Sequence, residues 1–155
     1  MSKKKNKYYK PDAQELSEAP EKFLYELNMF GAAVNANIGL HQSSKKINRN
    51  ILLNATLESA LLHARNLLDF FCGEPWKDDI RAFHFLPKQD ALWKSSKLAY
   101  LSSIRHDINK HLSHLTYERV AKKAEWDLVR ISKEIEEAFK EFLAILPEKE
   151  RENLK

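Results

Sequence analysis

The sequence predicts an all-α protein, specifically a four-helix bundle with a long loop between its second and third helices. Apolar residues recur every three or four positions in several long segments, which is the spacing of one face of a helix. The five prolines lie at or near the ends of these segments, as is usual where helices begin and end. No run of alternating β-branched residues competes with this pattern.

The first two helices are predicted over residues 20–38 and 47–71. In the first, Phe23, Leu27 and Phe30 fall on one face. The second is rich in Leu and Ala and is apolar on nearly every side, which predicts a helix covered all round by its neighbours. We therefore expect the second helix to lie at the centre of the bundle.

A connection is predicted over residues 73–89, with one short turn near residues 78–83, because the segment holds a glycine and two prolines. The third helix is expected to begin near Asp90, since aspartate is a favourable N-cap residue. Its apolar face includes Ile104 and Ile108.

The fourth helix is predicted from about residue 121 to residue 146, with apolar residues at heptad-like spacing and Lys and Glu on its other face. These elements divide the chain into three parts. We expect residues 1–15 to form a basic disordered tail, residues 16–146 to form the bundle domain and residues 147–155 to form a charged C-terminal tail.

The net positive charge belongs to the N-terminal tail. Five of the 26 basic residues lie in the first ten positions, which contain no acid, so the rest of the chain carries 21 basic and 22 acidic residues. This run could hold phosphates, with Tyr8 and Tyr9 stacking on bases, or it could be a solvated solubility tail. The basic residues of the tail are Lys3, Lys4, Lys5, Lys7 and Lys10.

The composition excludes several classes of protein. Three glycines are too few for a Gly-rich phosphate loop or a dinucleotide fingerprint. The single cysteine, Cys72, excludes an internal disulfide, and the lysine-rich start lacks the apolar segment of a signal peptide. No apolar run approaches the 18 residues of a membrane span. We expect a cytoplasmic protein that binds no membrane.

A polar strip interrupts the apolar central helix. Glu58, Arg65 and Asp69 fall within about 40° of one another on an ideal helix, and Asn66 lies close by. Because an unpaired buried charge is costly, these groups must face other polar groups or a cavity. Two interpretations remain open: an Arg65–Asp69 pair at i, i+4 that locks the bundle, or a strip that supports a ligand-binding group.

The most unusual segment is residues 103–116, in which three of the six histidines fall within nine residues. If Ile108 points at the core, Arg105 lies about 60° to one side of it and His111 about 60° to the other. One straight helix therefore separates the two side chains by about 120°. Two chains that meet about a twofold axis would bring both residues of each chain into one cleft.

These residues resemble a known motif. Arg105, the polar His106 directly after it and His111 with five intervening residues resemble the Arg-x(4–6)-His motif of the HEPN superfamily, small all-α domains of higher eukaryotes and prokaryotes. The resemblance implies a metal-independent endoribonuclease of a toxin–antitoxin or anti-phage defence system, with no cofactor. It further implies a homodimer whose two motifs form one shared site.

The implied reaction is attack of an RNA 2′-OH on the adjacent phosphorus. Arg105 would bind the negative charge that develops on the phosphoryl oxygens. His111 would carry the proton, because histidine gains and loses a proton near neutral pH. The products would be a 2′,3′-cyclic phosphate and a 5′-hydroxyl, with His106 and Asn109 as candidates to orient the phosphate or the arginine.

Alternatives remain for the histidine-rich segment. His114 shares a face with Asp107 and His111, so it is a second candidate for the functional histidine, and the three together have the chemistry of a zinc or iron site. Histidines near a helix C-terminus are also ordinary stabilising residues.

The partners expected are RNA, a second copy of the chain, and a cognate antitoxin or another protein. Two rival functions are a catalytically inactive HEPN-like bundle that binds RNA, a nucleotide or a protein, and an adaptor whose basic tail holds nucleic acid nonspecifically.

Overall fold

The computed structural model describes residues 10–43, 48–74, 79–87, 92–113 and 125–154. Within these ranges the chain contains no strand, which confirms the all-α prediction. The helices are α1 (Ala13–Gln42), α2 (Arg49–Cys72), α3 (Ala99–Ser113), α4 (Leu128–Ile145) and the short α5 (Glu148–Glu152), with a 3-10 turn at Ala82–Phe85.

Helix α1 begins earlier than the prolines predict. Asp12 and Glu15 form a capping box in which each side chain accepts from the backbone N–H of the other at 2.8 Å. Pro20 therefore lies inside the helix, and the prediction that the helix begins there is wrong. Pro20 is the eighth residue of α1 and removes one intrahelical hydrogen bond, because proline has no backbone N–H.

Helix α2 occupies the centre of the fold, as predicted, and packs against α1, α3, α4 and the 3-10 turn. The expectation that it is covered on every side is wrong: Leu61 and Leu67 are fully buried in its C-terminal half, but Leu62 is 40% exposed there. In its first turns Ile51 is 68% exposed. Asn37 of α1, a buried polar residue, joins the two helices by donating to the Leu53 carbonyl and to Thr56 Oγ1 at 2.9 Å each.

Aromatic rings fill the core between these helices. Phe23 of α1 stacks on Phe70 of α2 with ring centroids 4.2 Å apart, and Phe70 meets Phe142 of α4 edge to face at 5.5 Å. Trp93, from the segment before α3, packs on Phe142 at 5.7 Å. Full burial of each such side chain contributes roughly 1.5–3 kcal/mol, so this cluster is a main source of stability.

Helix α3 begins at Ala99, later than predicted. Asp90 lies outside the described residues, but residues 92–98 are not helical. They are tied to other elements instead: Ser95 donates its N–H to the Phe71 carbonyl at 3.1 Å and its hydroxyl to Glu141 at 2.6 Å. Because these bonds hold the segment against α2 and α4, the helix cannot extend back through it.

Helix α4 also begins later than predicted. Residues 125–127 precede the helix, and the Asp127 carboxylate accepts from the Arg130 N–H at 2.9 Å as the N-cap.

After α4 the chain was expected to continue as a charged tail, but it forms α5 and buries Leu154 on the core. Arg151 donates to the Leu146 carbonyl at 3.0 Å, which holds α5 against the end of α4.

Candidate functional site

Helix α3 presents Arg105 and His111 on opposite flanks. Its core face is the one predicted, because Leu101 and Ile108 are fully buried. On one flank, Arg105 Nη2 donates to Asp69 Oδ1 of α2 at 2.7 Å. On the other, the half-buried His111 ring meets the Trp126 ring edge to face, with centroids 5.4 Å apart. A single chain therefore does not bring the guanidinium and the imidazole together.

Two side-chain hydrogen bonds, one turn apart, join α2 to α3: Asp69 with Arg105, and Arg65 with Asn109. We call these two bonds the ladder. Asp69 accepts from Arg105, and one turn earlier on α2 Arg65 Nη1 donates to Asn109 Oδ1 at 3.2 Å. The predicted Arg65–Asp69 pair within α2 is therefore wrong, since each residue takes its partner from α3. Both contacts lead to α3, the helix that carries Arg105 and Asn109.

Asn66 and His63 face α1 rather than this ladder. The Glu26 carboxylate lies 2.6 Å from His63 Nδ1 and accepts from Asn66 Nδ2 at 3.0 Å. His63 is buried, and Glu26 supplies its ring with a hydrogen-bond partner. His63 and Asn66 of α2 thus contact α1, whereas Arg65 and Asp69 contact α3.

The remaining predicted residues are spread over the surface. His106 and Asp107 are exposed on the outer side of α3. Glu58 is exposed two helical turns before Arg65, so it lies away from the ladder. Lys10 is exposed at the start of the described chain. The candidates outside the described residues are Lys3, Lys4, Lys5, Lys7 and His114.

The metal alternative involves one of these residues. Asp107 and His111 are described, but His114, the third ligand that the sequence offered, is not. Over the ranges that are described, no three His, Cys, Asp or Glu side chains are grouped so that they could hold a metal ion.

Arg81 is a buried arginine that the sequence did not single out. It follows Ile80 and precedes the 3-10 turn, and its guanidinium donates to the Asp69 carbonyl, to the Glu74 carbonyl at 2.9 Å and to the Asp79 carboxylate. The backbone of Gly73 leaves room for it, because a Cβ there would lie 2.5 Å from Arg81 Nη1. The only sequence signal was a charged residue inside an apolar run.

His84, one turn after Arg81, is also buried. Its Nδ1 accepts from the Arg81 N–H at 3.3 Å, so the proton of the neutral ring is assigned to Nε2. Burial, and next the positive charge of Arg81, lower the pKa of His84. The ring is therefore held in its neutral form.

Arg105 borders a groove of about 240 Å³ between the end of α2 and the side of α3. Ser102 and Cys72 line it, together with Asp69 and Arg81. Burial raises the pKa of the Cys72 thiol, and its Sγ donates to the Ser95 carbonyl at 3.4 Å. The groove thus contains the buried guanidinium of Arg81 and the exposed guanidinium of Arg105, and the Asp69 carboxylate accepts from Arg105.

Two carboxylates of α4 fix the position of α3. Glu134 accepts from the backbone N–H groups of Tyr100 and Leu101 at 3.0 Å each, which caps the first turn of α3 from another helix. Glu141 accepts from the hydroxyls of Ser95 and Ser96 just before it. The flanks of α3 are therefore set by α2 on one side and by α4 on the other.

Comparison of the chain with protein-family models, with curated protein sequences and with solved structures finds no match. In the part of the chain that the structure describes, every helix is too short or too polar to cross a membrane.

Proposed function

We propose that this protein is a metal-independent endoribonuclease of the HEPN type, a four-helix bundle that acts as a homodimer. The observation that carries the proposal is the setting of Arg105, whose side chain is 51% exposed and held at the border of a groove by Asp69. An exposed guanidinium fixed by one carboxylate can bind a phosphate through its remaining N–H groups, because arginine has five donors.

A second chain is needed because Arg105 and His111 lie on opposite flanks of α3. Arg105 contacts α2 and His111 contacts Trp126, so the two groups of one chain point to different sides. A twofold axis places the arginine flank of one protomer beside the histidine flank of its partner. The shared cleft would then contain two guanidinium groups and two imidazoles.

In that cleft the RNA 2′-OH attacks the adjacent phosphorus and loses its proton to one imidazole. The new bond from the 2′-oxygen forms as the bond from phosphorus to the 5′-oxygen breaks, and the second imidazole gives a proton to the leaving oxygen. Arg105 of each chain stabilises the charge on the phosphoryl oxygens. The products are a 2′,3′-cyclic phosphate and a 5′-hydroxyl.

The ladder between α2 and α3 has a positioning role in this scheme. Asp69 orients the Arg105 guanidinium, and Arg65 orients the Asn109 amide one turn further along α3. Fixing these side chains before RNA binds reduces the conformational entropy lost in forming the transition state.

The test is cleavage of total RNA in EDTA by the wild type, by Arg105→Ala and by His111→Ala. We expect each substitution to lower the cleavage rate by about 10²- to 10⁴-fold, the usual contribution of a general acid or base or of a charge-stabilising donor. Lys140→Ala and His41→Ala are matched controls, since both residues are exposed on other helices. Equal cleavage by all five proteins would eliminate the proposal.

A second candidate function is an inactive bundle of the same type that binds RNA, a nucleotide or a protein. The contact between His111 and Trp126 favours it, because a ring packed on another aromatic side chain has less of its surface open to a substrate. The adaptor alternative is tested by deleting residues 1–10: an adaptor loses its nucleic-acid binding, whereas an enzyme with a composite site keeps cleaving with a weaker, salt-dependent affinity. Binding of RNA without 2′,3′-cyclic phosphate products would identify the inactive bundle.

A further inference from the structure

A second groove, of about 420 Å³, lies on the other side of Asp69, between α1, α2 and the residues before the 3-10 turn. Phe23, Phe70 and Ile80 provide apolar walls, and the cationic side chains that line it are Lys22, Arg65 and Arg81. Its volume is in the range of small-molecule sites, which are about 300–1,000 Å³.

The carboxylates of this groove already accept hydrogen bonds from other residues. Glu26 accepts from Asn66 and lies against His63, Asp69 accepts from Arg105, and Asp79 accepts from Arg81. Only Asp69 bonds outside the groove, whereas Glu26 and Asp79 bond to residues of its own lining. All three carboxylates are thus occupied, and they do not satisfy every donor of the groove.

Two buried donors that line this groove remain without an acceptor. The Nε atoms of Arg65 and Arg81 are both buried, and neither has a hydrogen-bond partner among the residues that the structure describes. A buried donor of a charged group that lacks a partner is costly, so such atoms in a native protein call for an explanation. Both belong to side chains that line the same groove.

Arg81 cannot leave the groove to find water. Its side chain is 6% exposed, and its two terminal nitrogens are bound to carbonyls of Asp69 and Glu74 and to the Asp79 carboxylate. Gly73 leaves the space that the guanidinium fills. A ligand that enters the groove therefore meets a cation already fixed in place, which lowers the entropy cost of binding it.

We propose that this groove binds a small organic anion, a compound with one carboxylate or phosphate group and an apolar body. The oxygens accept from Arg65, whose guanidinium donates to Asn109 through Nη1 alone and can turn to offer Nε. Arg81 stays in place and, with Lys22, adds positive charge to the groove. The apolar body lies against Phe23, Phe70 and Ile80. The groove shares Arg65 and Asp69 with the ladder beside the RNA-cleaving cleft, but binding of an anion in it does not require RNA cleavage.

The test measures binding to the full chain by melting temperature and by ¹H–¹⁵N NMR spectra. The probes are phenyl phosphate and benzoate, with inorganic phosphate for the anionic group alone and benzamide for the apolar body alone. At about ten times its Kd, a bound probe raises the Tm by about 3–6 °C. The two aromatic anions show which head group the site takes, and benzamide is expected to have no effect.

Two variants locate the binding. Arg65→Lys keeps the charge but removes the Nε donor, and it should weaken binding at least tenfold. Ile80→Trp fills the groove from a residue 37% exposed and should abolish binding. Arg49→Lys, on the same helix but bound to the carbonyls at the end of α1, is the matched control and should bind like the wild type.

Failure of both aromatic anions to bind at millimolar concentrations overturns the inference. So does binding of benzamide as strong as that of the anions, or binding that either Arg65→Lys or Ile80→Trp retains at wild-type strength. Because no RNA is present, these outcomes leave the proposed cleavage activity unaffected.

Discussion

Arg105 of α3 and Asp69 of α2 are joined by a hydrogen bond of 2.7 Å, although 36 residues separate them along the chain. Asp69 is 27% exposed, and the same residue lines both grooves on either side of the ladder. The way in which α2 packs against α3 therefore determines how Arg105, the candidate phosphate-binding residue, is oriented.

The energy of this pair should be small. Because Arg105 is half exposed, solvent screens the attraction, and a double-mutant cycle of Asp69→Asn and Arg105→Gln in urea should give a coupling of about 0.2–1 kcal/mol. A coupling above about 2 kcal/mol would contradict this account, since it would mean that the pair is shielded from water. A pair this weak serves orientation more than stability.

Gly73→Ala should destabilise the fold by about 1–3 kcal/mol, because a Cβ there would lie 2.5 Å from both Arg81 Nη1 and the Asp69 carbonyl oxygen. Thermal or urea unfolding measures the change. Gly31→Ala inside α1 is the control: a Cβ there meets nothing within 4 Å, so the better helix propensity of alanine should stabilise the protein by about 0.5–1 kcal/mol. Equal effects of the two substitutions would refute the packing of Arg81 against Gly73.

Glu134→Ala should lower the free energy of unfolding by about 0.5–2 kcal/mol, since the first turn of α3 loses the carboxylate that accepts from Tyr100 and Leu101. Urea unfolding is the measurement, and hydrogen exchange of the α3 amides should accelerate. Glu137→Ala, an exposed position on the same helix, should cost little. The prediction fails if α3 amides exchange at the wild-type rate in Glu134→Ala.

His84 should make stability depend on pH. Its pKa is lowered in the folded state, so the unfolded chain binds more protons between that value and the ordinary pKa of 6.5. Stability should therefore fall as the pH drops through 6.5 and continue to fall until the folded-state pKa is reached. Urea unfolding at several pH values should show this slope in the wild type and in His41→Gln, but a shallower one in His84→Gln.

Mixing the Arg105→Ala and His111→Ala variants tests the proposed cleft that two chains share. If two chains form the cleft, each variant alone lacks one kind of group, but a heterodimer keeps one arginine and one histidine there. Its single imidazole can take the proton from the 2′-OH while water protonates the leaving oxygen, so only part of the rate should return. We expect an equal mixture to regain part of the wild-type cleavage rate, measured by release of 2′,3′-cyclic phosphate. Native mass spectrometry checks that subunits exchange, and exchange without recovered cleavage would argue against a site built from both chains.

Much of the helical content could be predicted from the sequence because it depends on local spacing. The apolar face of α3 was correct, as the full burial of Leu101 and Ile108 shows. The helix ends were less predictable. Asp12 caps α1 ahead of Pro20, and the start of α3 is fixed by Glu134 and its neighbours on a helix far along the chain.

The contacts around the candidate site could be predicted only in part. The polar strip of α2 was visible in the sequence, but the partners of Arg65 and Asp69 depend on how α2 and α3 pack, which periodicity does not encode. Arg81 was missed for another reason: two of its acceptors are backbone carbonyls, which every residue has, so no side-chain pattern marks them.

The placement of Arg105 and His111 on opposite flanks of α3 also has a kinetic consequence for the proposed enzyme. An isolated chain would carry both groups but could not bring them to the same phosphate, so a dilute, monomeric protein would be inactive. Below the dimer dissociation constant the initial rate would rise with the square of the protein concentration, and copy number alone would act as a threshold for activity.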